Sequence, residues 1–427
     1  MTASRPAPPD RPAPRDVRLP SHEAAIPGSA LRAIAERHGT PTYVYDARAI
    51  DAGARRWIEA TGDPSRVCFA AKANSNLSVL ARLESLGVGV EVATPGELAR
   101  ARRAGFPAER IVLGGVPKSA EAVRHGAREG VGLLVLQSGH EVEAAIAVAR
   151  ETPGGVLKVG VRVRPGIRAG AHPSLETGRA DAKFGFAPDE VPAVWGALSG
   201  APGLRPTTLA VHLGSGLQDL APYGEALALL LRLAAGLASK GAAVEEIDIG
   251  GGLGVDYAGG ADPEPADLVG RVASAVGPRG PRIRFEPGRS IVARAGILLT
   301  RVLYRRERDG SPALVCDAGY TDFARYALYG GQHRILPVSG VESGEPTVEV
   351  LGPTCESGDA LGTGRRLHAV GPGDLLQVRD TGAYGFVMAS NYNSRPRPAE
   401  VLVDGDEVRI VRERERIEDL WRGEEVP

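Results

Sequence analysis

The stretch Phe69-Ala-Ala-Lys72-Ala-Asn-Ser-Asn76 decides how the rest of the chain is interpreted. An apolar run delivers one lysine to the end of a predicted strand, and Asn and Ser follow where a helix can begin. A buried lysine is costly as a cation, so it tends to lose its proton and become a nucleophile or the covalent partner of a carbonyl group. A lone lysine at a strand end is more often a side chain that reaches to solvent. Both interpretations stay open until the neighbouring motifs are considered.

The composition is that of an ordinary globular chain. It has 427 residues, 43% of them apolar, and its 51 basic and 52 acidic residues give a net charge of −1. A chain without excess positive charge has no general attraction for nucleic acid or for an anionic membrane. Three widely spaced cysteines, Cys68, Cys316 and Cys355, argue against a disulfide framework and favour a reducing compartment. We predict a cytoplasmic protein without a membrane span, a secretory signal or a metal site.

Short apolar runs alternate with amphipathic stretches between residues 67 and 286. The runs are predicted strands, and the stretches between most of them are predicted helices. Eight buried strands that alternate with helices over about 220 residues are typical of a (β/α)8 barrel. A doubly wound open sheet is the alternative, because periodicity alone does not close a sheet. The predicted strands are Val67–Lys72, Val88–Ala93, Ile111–Gly114, Gly132–Leu136, Val156–Val163, Thr208–Leu213, Glu246–Ile249 and Ile283–Glu286.

Four segments are predicted along the chain. Residues 1–20 are rich in Pro and Arg and have little to bury, which indicates a disordered leader. Residues 21–40 are expected to pack on a second domain, and residues 41–290 to form the barrel, with Thr42–Tyr45 as a lead-in strand. In residues 291–427 short β-branched runs are divided by Gly, Pro and Asp, which predicts a mainly β C-terminal domain.

In a (β/α)8 barrel the chemistry lies at the C-terminal ends of the strands. Those ends carry Lys72, the segment 91–94, His212, the run Gly250-Gly-Gly-Leu-Gly254 and Glu286-Pro-Gly-Arg289. Glycines after the seventh strand can present backbone N–H groups to a phosphate, whereas a lone glycine run would be interpreted as a flexible turn. The convergence on one rim therefore favours a functional role for Lys72.

A lysine, a phosphate-binding loop and an acid on one rim suit pyridoxal 5′-phosphate (PLP). Its aldehyde binds the lysine amine, its phosphate binds the glycines, and an acid at its ring nitrogen keeps the ring charged as an electron sink. Glu286 is suitably placed for the last role, although a salt bridge with Arg284 or Arg289 would explain it equally well if it stood alone. His212 can lie flat on the ring, whereas a single histidine is more often a hydrogen-bonded core residue.

Six ordered motifs resemble those of the fold-type III PLP-dependent decarboxylases, over roughly residues 25–415. Within that family the chain is most similar to the diaminopimelate decarboxylases. The resemblance implies an alanine-racemase-like barrel followed by a β domain, and decarboxylation of meso-diaminopimelate to L-lysine. The motifs are Ala71-Lys72-Ala-Asn-Ser-Asn76, His212-Leu-Gly-Ser215, Gly250-Gly-Gly-Leu-Gly254, Glu286-Pro-Gly-Arg289, Cys355-Glu-Ser-Gly-Asp359, and Gly382-Ala-Tyr384-Gly together with Ser390-Asn-Tyr-Asn-Ser-Arg-Pro-Arg-Pro-Ala-Glu400.

The same resemblance implies roles for individual residues. Lys72 would bind the PLP aldehyde, His212 would stack on the ring and Glu286 would contact the ring nitrogen. Cys355 would enter the active site of the partner subunit as the proton donor, which implies an obligate homodimer with shared active sites. The phosphate would be surrounded by Ser215, Gly252, Leu253, Gly254, Gly288 and Tyr384, and the substrate by Arg289, Arg325, Tyr329 and Glu356.

The substrate is less firmly specified than the reaction. Diaminopimelate has a second amino acid head, for which two arginines and a glutamate are suitable partners. Gly216, Tyr326 and the pair Tyr320-Thr321 depart from the family pattern and leave open ornithine, lysine, a carrier-protein-bound glutamate or a secondary-metabolite precursor. A PLP amino-acid racemase is a further alternative, but it would not need a pocket for a distal head group. A non-catalytic regulator of a decarboxylase would be expected to lack Lys72 or Cys355.

Overall fold

The computed structural model describes residues 22–427 except 116, 152–154, 170–175 and 309. The predicted leader at residues 1–20 lies outside the described residues. Helix α1 (Gly28–His38), strand β1 (Thr42–Asp46) and helix α2 (Ala47–Thr61) come first. The Asp46 carboxylate ends β1 and begins α2, because it accepts the N–H of Arg48 at 2.9 Å and so satisfies a donor that the first helical turn leaves free.

A regular alternation of strands and helices follows. The strands are β2 (Cys68–Ala70), β3 (Gly89–Val92), β4 (Ile111–Leu113), β5 (Leu133–Leu136), β6 (Leu157–Arg162), β7 (Leu204–Ala210), β8 (Glu246–Asp248) and β9 (Arg282–Arg284). The helices that separate them are α3 (Leu77–Ser85), α4 (Pro95–Arg103), α5 (Ala120–Glu129), α6 (Gly139–Glu151), α7 (Val191–Ser199), α8 (Ala221–Ala238) and α9 (Pro265–Val276).

These eight strands form one parallel sheet in sequence order. The sheet closes on itself, because Val67 forms a parallel bridge with Phe285 and the Ala70 N–H donates to the Pro287 carbonyl at 3.0 Å. The predicted (β/α)8 barrel is therefore confirmed, and the open doubly wound sheet is wrong. Large side chains such as Trp57 and Phe285 are fully buried in the core around it.

A second, nine-stranded sheet forms the C-terminal domain. Its strands are β1, β10 (Gly296–Arg308), β11 (Ser311–Cys316), β12 (Ile335–Pro337), β13 (Val348–Leu351), β14 (Ala360–Arg365), β15 (Leu375–Arg379), β16 (Ala399–Asp404) and β17 (Glu407–Arg412). Two short helices accompany them, α10 (Arg289–Val292) and α11 (Arg325–Tyr329). The predicted β domain is confirmed as a fold.

Strand β1 lies in this second sheet. It pairs antiparallel with β10 and parallel with β16, although the sequence grouped residues 41–290 as the barrel. All five residues of β1 are buried, so their pattern predicts a strand but does not say which sheet it joins. Helix α1 buries Leu31 and Ile34 in the same apolar cluster as Val44, Ile297 and Val401.

Helix α8 has the length and the apolar composition to cross a membrane, judged by those two properties alone. Its mean hydropathy is 1.2, and 28% of it is buried. It connects the adjacent strands β7 and β8 and packs beside α9, with Tyr223, Leu227 and Leu230 buried. Its apolar face is therefore accounted for by the helical layer of the barrel.

Candidate active site

Lys72 lies just beyond the end of β2, in a single 3-10 turn formed by residues 71–73. The predicted strand extended to Lys72, whereas the observed strand β2 ends two residues earlier, at Ala70. Asn76 begins α3 by accepting the N–H of Ser78 at 2.9 Å. Asn74 supports the turn, since its amide donates to the Gly382 carbonyl at 3.0 Å. The motif thus sets Lys72 on the barrel rim and joins it to the β domain.

The Lys72 amine contacts an acid that was given no role from the sequence. Its Nζ lies 2.5 Å from Glu91 Oε2, and Glu91 is buried in β3, directly opposite Ala70 of β2. Burial acts to lower the pKa of Lys72, but the carboxylates of Glu91 and Glu286 outweigh it and hold the pKa above its usual value. The expectation that Lys72 loses its proton through burial is therefore wrong for the free amine, because an opposite charge is in contact.

His212 is a neutral ring in the same group. Burial lowers its pKa well below the usual range, and the nearby Lys72 and Arg162 cations add to this effect. Its Nδ1 accepts the N–H of Gly251 at 3.3 Å, which leaves the ring proton on Nε2.

Glu286 and Asp248 form a buried acid pair behind Lys72. Each of the two carboxyl groups affects the pKa of the other. Burial and the Asp248 and Glu91 carboxylates raise the pKa of Glu286 well above its usual value, and burial raises the pKa of Asp248 to about 6. Two neighbouring buried carboxyls cannot easily both be charged, so the pair favours holding a proton.

The glycine run fits tightly against the loop that follows β7. The Gly252 carbonyl accepts the N–H groups of Gly216 and Leu217 at 3.0 and 2.9 Å, and the Gly254 N–H donates to the Leu217 carbonyl at 2.8 Å. Gly252 has φ +107°, and a Cβ there would lie 2.4 Å from the Gly214 carbonyl oxygen, so only glycine fits. The Gly254 amide is thus engaged inside the loop pair, which was not expected from the sequence.

Two further predicted residues pack beside Lys72. A Cβ on Gly288 would lie 2.9 Å from the Ala73 Cβ, so the loop after β9 approaches the Lys72 turn closely. The Tyr384 N–H donates to the Ala73 carbonyl at 2.8 Å. Tyr384 has φ +55°, a left-handed conformation that is unusual outside glycine and often marks functional sites.

Arg289 is buried beside this group with neutral partners. Its Nη1 donates to the Tyr257 hydroxyl at 2.7 Å and its Nη2 to Ser215 Oγ at 2.8 Å. Its guanidinium also lies 4.7 Å from the Tyr384 ring centroid. Only 4% of Arg289 is exposed.

Arg325 is a second buried arginine next to Arg289. It is 5% exposed, and its guanidinium lies 5.1 Å from the Tyr257 ring and 5.9 Å from the Tyr329 ring. Its Nε donates to His333 Nε2 at 3.2 Å. Neither arginine contacts a carboxylate in the part of the chain that the structure describes. Because a buried cation without a counter-charge is costly, the two arginines indicate a site for an anionic ligand.

Cys355 and Glu356 lie elsewhere, on the surface of the β domain. Both are exposed. The Cys355 N–H donates to Asn393 Oδ1 at 3.2 Å, and Glu356 Oε1 accepts from the Tyr392 hydroxyl at 2.5 Å. No contact between described residues of this chain joins either of them to Lys72.

Four residues of the site were missed or left without a role from the sequence. Glu91 and Asp248 had a signal, because each is an acid inside a short apolar strand and such acids need a partner. Tyr257 and His333 had no such signal in the sequence, because contacts with residues far away in the sequence bring each of them into the site.

Comparison with known proteins gives the family of the chain. A family model described as pyridoxal-dependent decarboxylase, pyridoxal binding domain, matches residues 47–293. The diaminopimelate decarboxylase of Pseudomonas aeruginosa is 42% identical over 398 residues, which cover 93% of this chain and 95% of that protein. The crystal structure of diaminopimelate decarboxylase from Helicobacter pylori complexed with L-lysine has a TM-score of 0.87 and 35% identity, and covers 92% of this chain and 98% of that chain. The crystal structure of diaminopimelate decarboxylase from M. jannaschii in co-complex with L-lysine has a TM-score of 0.86 and 32% identity, and covers 92% of this chain and 94% of that chain.

The fold and the matched family agree on the class, which is that of the pyridoxal-dependent decarboxylases. The protein is a carboxy-lyase with PLP as its cofactor, and the resemblance found in the sequence is confirmed. The chain is also over 30% identical to diaminopimelate decarboxylases across nearly its whole length, which identifies the family within this class. The chain belongs to the diaminopimelate decarboxylase family.

The residues present suit PLP. The rim offers an amine at Lys72 for the aldehyde. The Ser215 hydroxyl, which accepts a hydrogen bond from Arg289, still has its own proton to donate to a phosphate. The pKa of Glu286 is raised, so this carboxyl can hold a proton and give it up when a cation lies beside it.

Glu91 is expected to control how fast the apoenzyme takes up PLP. Addition to the aldehyde needs the free amine, so uptake should accelerate as the pH rises towards the pKa of Lys72. Glu91→Gln removes the counter-charge but leaves the burial, so the pKa should fall and uptake near pH 7 should be at least about tenfold faster. Stopped-flow absorbance after mixing apoenzyme with PLP measures this rate. Glu91→Asp keeps the charge and should resemble the wild type; equal rates for all three proteins would contradict the assignment.

Proposed function

We propose that this enzyme decarboxylates meso-diaminopimelate to L-lysine. The observation that carries the proposal is the pair of buried guanidinium groups, Arg289 and Arg325, that no carboxylate of the described chain neutralises. A substrate with a second amino acid head brings a carboxylate that suits them. The names of the relatives and the L-lysine in two of the solved relatives support the same substrate.

Each rim residue has a proposed task in this reaction. Lys72 would hold the cofactor through its amine. PLP, when bound, would supply an electron sink for the cleavage of the bond between Cα and the carboxylate, which releases carbon dioxide. Glu286 would hold a proton at the ring nitrogen, and neutral His212 would cover the ring without adding a charge. Ser215, Gly252, Leu253, Gly254, Gly288 and Tyr384 are the proposed surroundings of the phosphate.

The distal end of the substrate is held where the two domains meet. Arg289 follows the last barrel strand, and Arg325 and Tyr329 come from α11 in the C-terminal part of the chain. A fixed guanidinium pair holds the distal carboxylate and so selects the end of the substrate that reacts. Ligand sites often lie at such domain junctions.

Cys355 and Glu356 are proposed to act in the active site of a partner subunit. Both are exposed on this chain, on a surface that also carries Tyr320 and Tyr392, whose rings lie 5.9 Å apart. After carbon dioxide has left, Cα needs a proton, and the proposed donor is the Cys355 thiol of the partner subunit. Glu356 would accept the distal ammonium of the substrate. A homodimer with shared active sites satisfies both roles.

Two departures from the family pattern have structural roles in this chain. The Gly216 N–H is bonded to the Gly252 carbonyl. The Tyr326 hydroxyl lies 3.2 Å from Thr363 Oγ1 in β14, so it is held within the β domain. Neither substitution introduces a charge, so neither argues against a substrate carboxylate at Arg289 and Arg325.

The substrate is tested by carbon dioxide release from meso-diaminopimelate, L-lysine, L-ornithine and L-arginine. We expect kcat/KM for diaminopimelate to exceed the others by at least about a thousandfold, because the arginines would otherwise stay buried without an anion. Arg325→Met should lower kcat/KM for diaminopimelate by about 100- to 1000-fold.

The control for that substitution is Arg305→Met, which removes an exposed arginine of the β domain and should change kcat/KM by less than about twofold. Faster turnover of ornithine or arginine than of diaminopimelate would contradict the proposal. Inversion of an amino acid without carbon dioxide release would instead indicate a racemase.

We also propose that the enzyme acts in the cytoplasm. The single described helix that could cross a membrane by length and composition is a connection of the barrel. The three cysteines are free, and Cys68 and Cys316 are buried, which suits a reducing compartment.

A further inference from the structure

His333 is a fully buried histidine between the two domains. It lies in the segment between α11 and β12. Its ring centroid lies 4.1 Å from that of Tyr257, which follows the barrel strand β8, and 4.7 Å from that of Phe323, which meets it edge-on at 89°. The ring is therefore held on two sides by aromatic residues from different parts of the chain.

Two hydrogen bonds determine which nitrogen of His333 carries the proton. Nδ1 lies 2.9 Å from the carbonyl oxygen of Arg379, and a carbonyl only accepts, so Nδ1 must be the donor. Nε2 then has a free lone pair, and it accepts the Arg325 Nε–H at 3.2 Å. Burial and the neighbouring Arg325 cation hold the pKa of His333 well below its usual range, which agrees with a neutral ring.

The carbonyl that fixes His333 is itself rigid. Arg379 ends strand β15, and its N–H donates to the Arg334 carbonyl at 2.9 Å. Strand β15 pairs with both β10 and β12. Strand β15 therefore fixes the orientation of the His333 imidazole, and the imidazole in turn fixes the orientation of the Arg325 side chain.

The hydrogen bond to His333 fixes the Arg325 guanidinium through its Nε atom. Arg325 binds His333 through Nε, and its guanidinium carbon lies 5.1 Å from the Tyr257 ring centroid, so the two terminal nitrogens are not used in the bond to the imidazole. No acceptor among the described residues takes a hydrogen bond from them. A planar guanidinium that is held in advance loses less freedom when it forms a two-pronged contact with a carboxylate.

We propose that His333 is a positioning residue that holds Arg325 in the orientation in which its terminal nitrogens bind the distal carboxylate of the substrate. This inference rests on the proposed function, in which Arg325 binds that carboxylate. The competing explanation is that His333 only fills space between Tyr257 and Phe323. The two explanations differ in one respect, because a packing role has no preference for ligands with a carboxylate.

A matched pair of substitutions separates the two explanations. His333→Gln can place an amide oxygen near the position of Nε2 and keep an acceptor for Arg325, whereas His333→Asn can replace only the Nδ1 donor. Calorimetry on the holoenzyme gives dissociation constants for L-lysine, which retains the distal carboxylate, and for cadaverine, which lacks it. We expect His333→Asn to weaken L-lysine by about 10- to 100-fold and cadaverine by less than about threefold. His333→Gln should stay within about fivefold of the wild type for both ligands.

His333→Phe provides a second variant in case the asparagine variant does not fold. It keeps a ring between Tyr257 and Phe323 but has no acceptor, so it should show the same selective loss of L-lysine affinity. Equal weakening of both ligands, or unchanged L-lysine binding in His333→Asn and His333→Phe, would overturn the positioning role.

Arg325→Met distinguishes a failure of this inference from a failure of the proposed function. Arg325→Met should also lose L-lysine affinity selectively. If it does so while the His333 variants do not, only the positioning role fails. If Arg325→Met leaves the ratio of the two dissociation constants unchanged, Arg325 does not bind the carboxylate, and the proposed function fails with it.

Discussion

Replacing Lys72 with alanine is expected to lower kcat by roughly a thousandfold or more and to remove the visible absorbance of lysine-bound PLP. The reason is that the Lys72 amine is the group on this rim that can bind the aldehyde covalently, and Glu91 holds it there at 2.5 Å. Lys158→Ala is the matched control, because Lys158 is an exposed residue of β6. It should leave both kcat and the spectrum unchanged.

Borohydride reduction followed by mass spectrometry gives an independent readout of the same prediction. Reduction should fix PLP to the peptide that contains Lys72 in the wild type and to no lysine in Lys72→Ala. Retained turnover by Lys72→Ala, or a cofactor fixed on another lysine of the wild type, would refute the proposed role.

Replacing Cys355 with alanine is expected to lower kcat by about 100- to 10,000-fold, the range typical for loss of a general acid. If the thiol serves the partner subunit, inactive Lys72→Ala and inactive Cys355→Ala should restore each other when mixed subunits reassemble. One site of each mixed dimer would then combine Lys72 from one chain with Cys355 from the other. Activity should recover to about a quarter of the wild-type value.

The control mixes Lys72→Ala with Glu286→Gln, two changes on the rim of the same barrel. Each site of a mixed dimer then keeps one defect, and no recovery is expected. Absence of recovery in the first mixture, with reassembly verified by differently tagged subunits, would show that the site is not shared in the proposed way.

The barrel could be predicted because the sequence pattern that specifies each of its strands and helices lies within that element. Each strand and helix between Val67 and Glu286 has its own apolar pattern, and the C-terminal strand ends of a barrel converge whatever the rest of the sequence. Lys72, His212 and Glu286 were predicted in this way as candidate site residues. Gly252 was predicted from the glycine run and Gly288 through the resemblance, and at both positions the structure shows a close approach that leaves little room for a Cβ.

The remaining features depend on contacts between distant segments. The charge of Lys72 was misjudged because its partner Glu91 lies on the next strand, and burial without a partner predicts the opposite shift of pKa. Tyr257, Arg325 and His333 come from three separate segments, and no local pattern joins them. Residues 42–46 were assigned to the barrel because a buried strand looks the same in either sheet.

Strand β1 makes the barrel an insertion within the β domain. Thr42 pairs with Leu299 on one side and with Ala399 on the other. Strand β1 is therefore synthesised early, but the strands that pair with it are synthesised much later. Until then β1 has two unpaired edges, and such edges favour wrong pairing. The barrel strands, which pair with their immediate successors, can form before the β domain does. The junction that carries Arg325 and His333 is therefore expected to be among the last parts of the enzyme to assemble during translation.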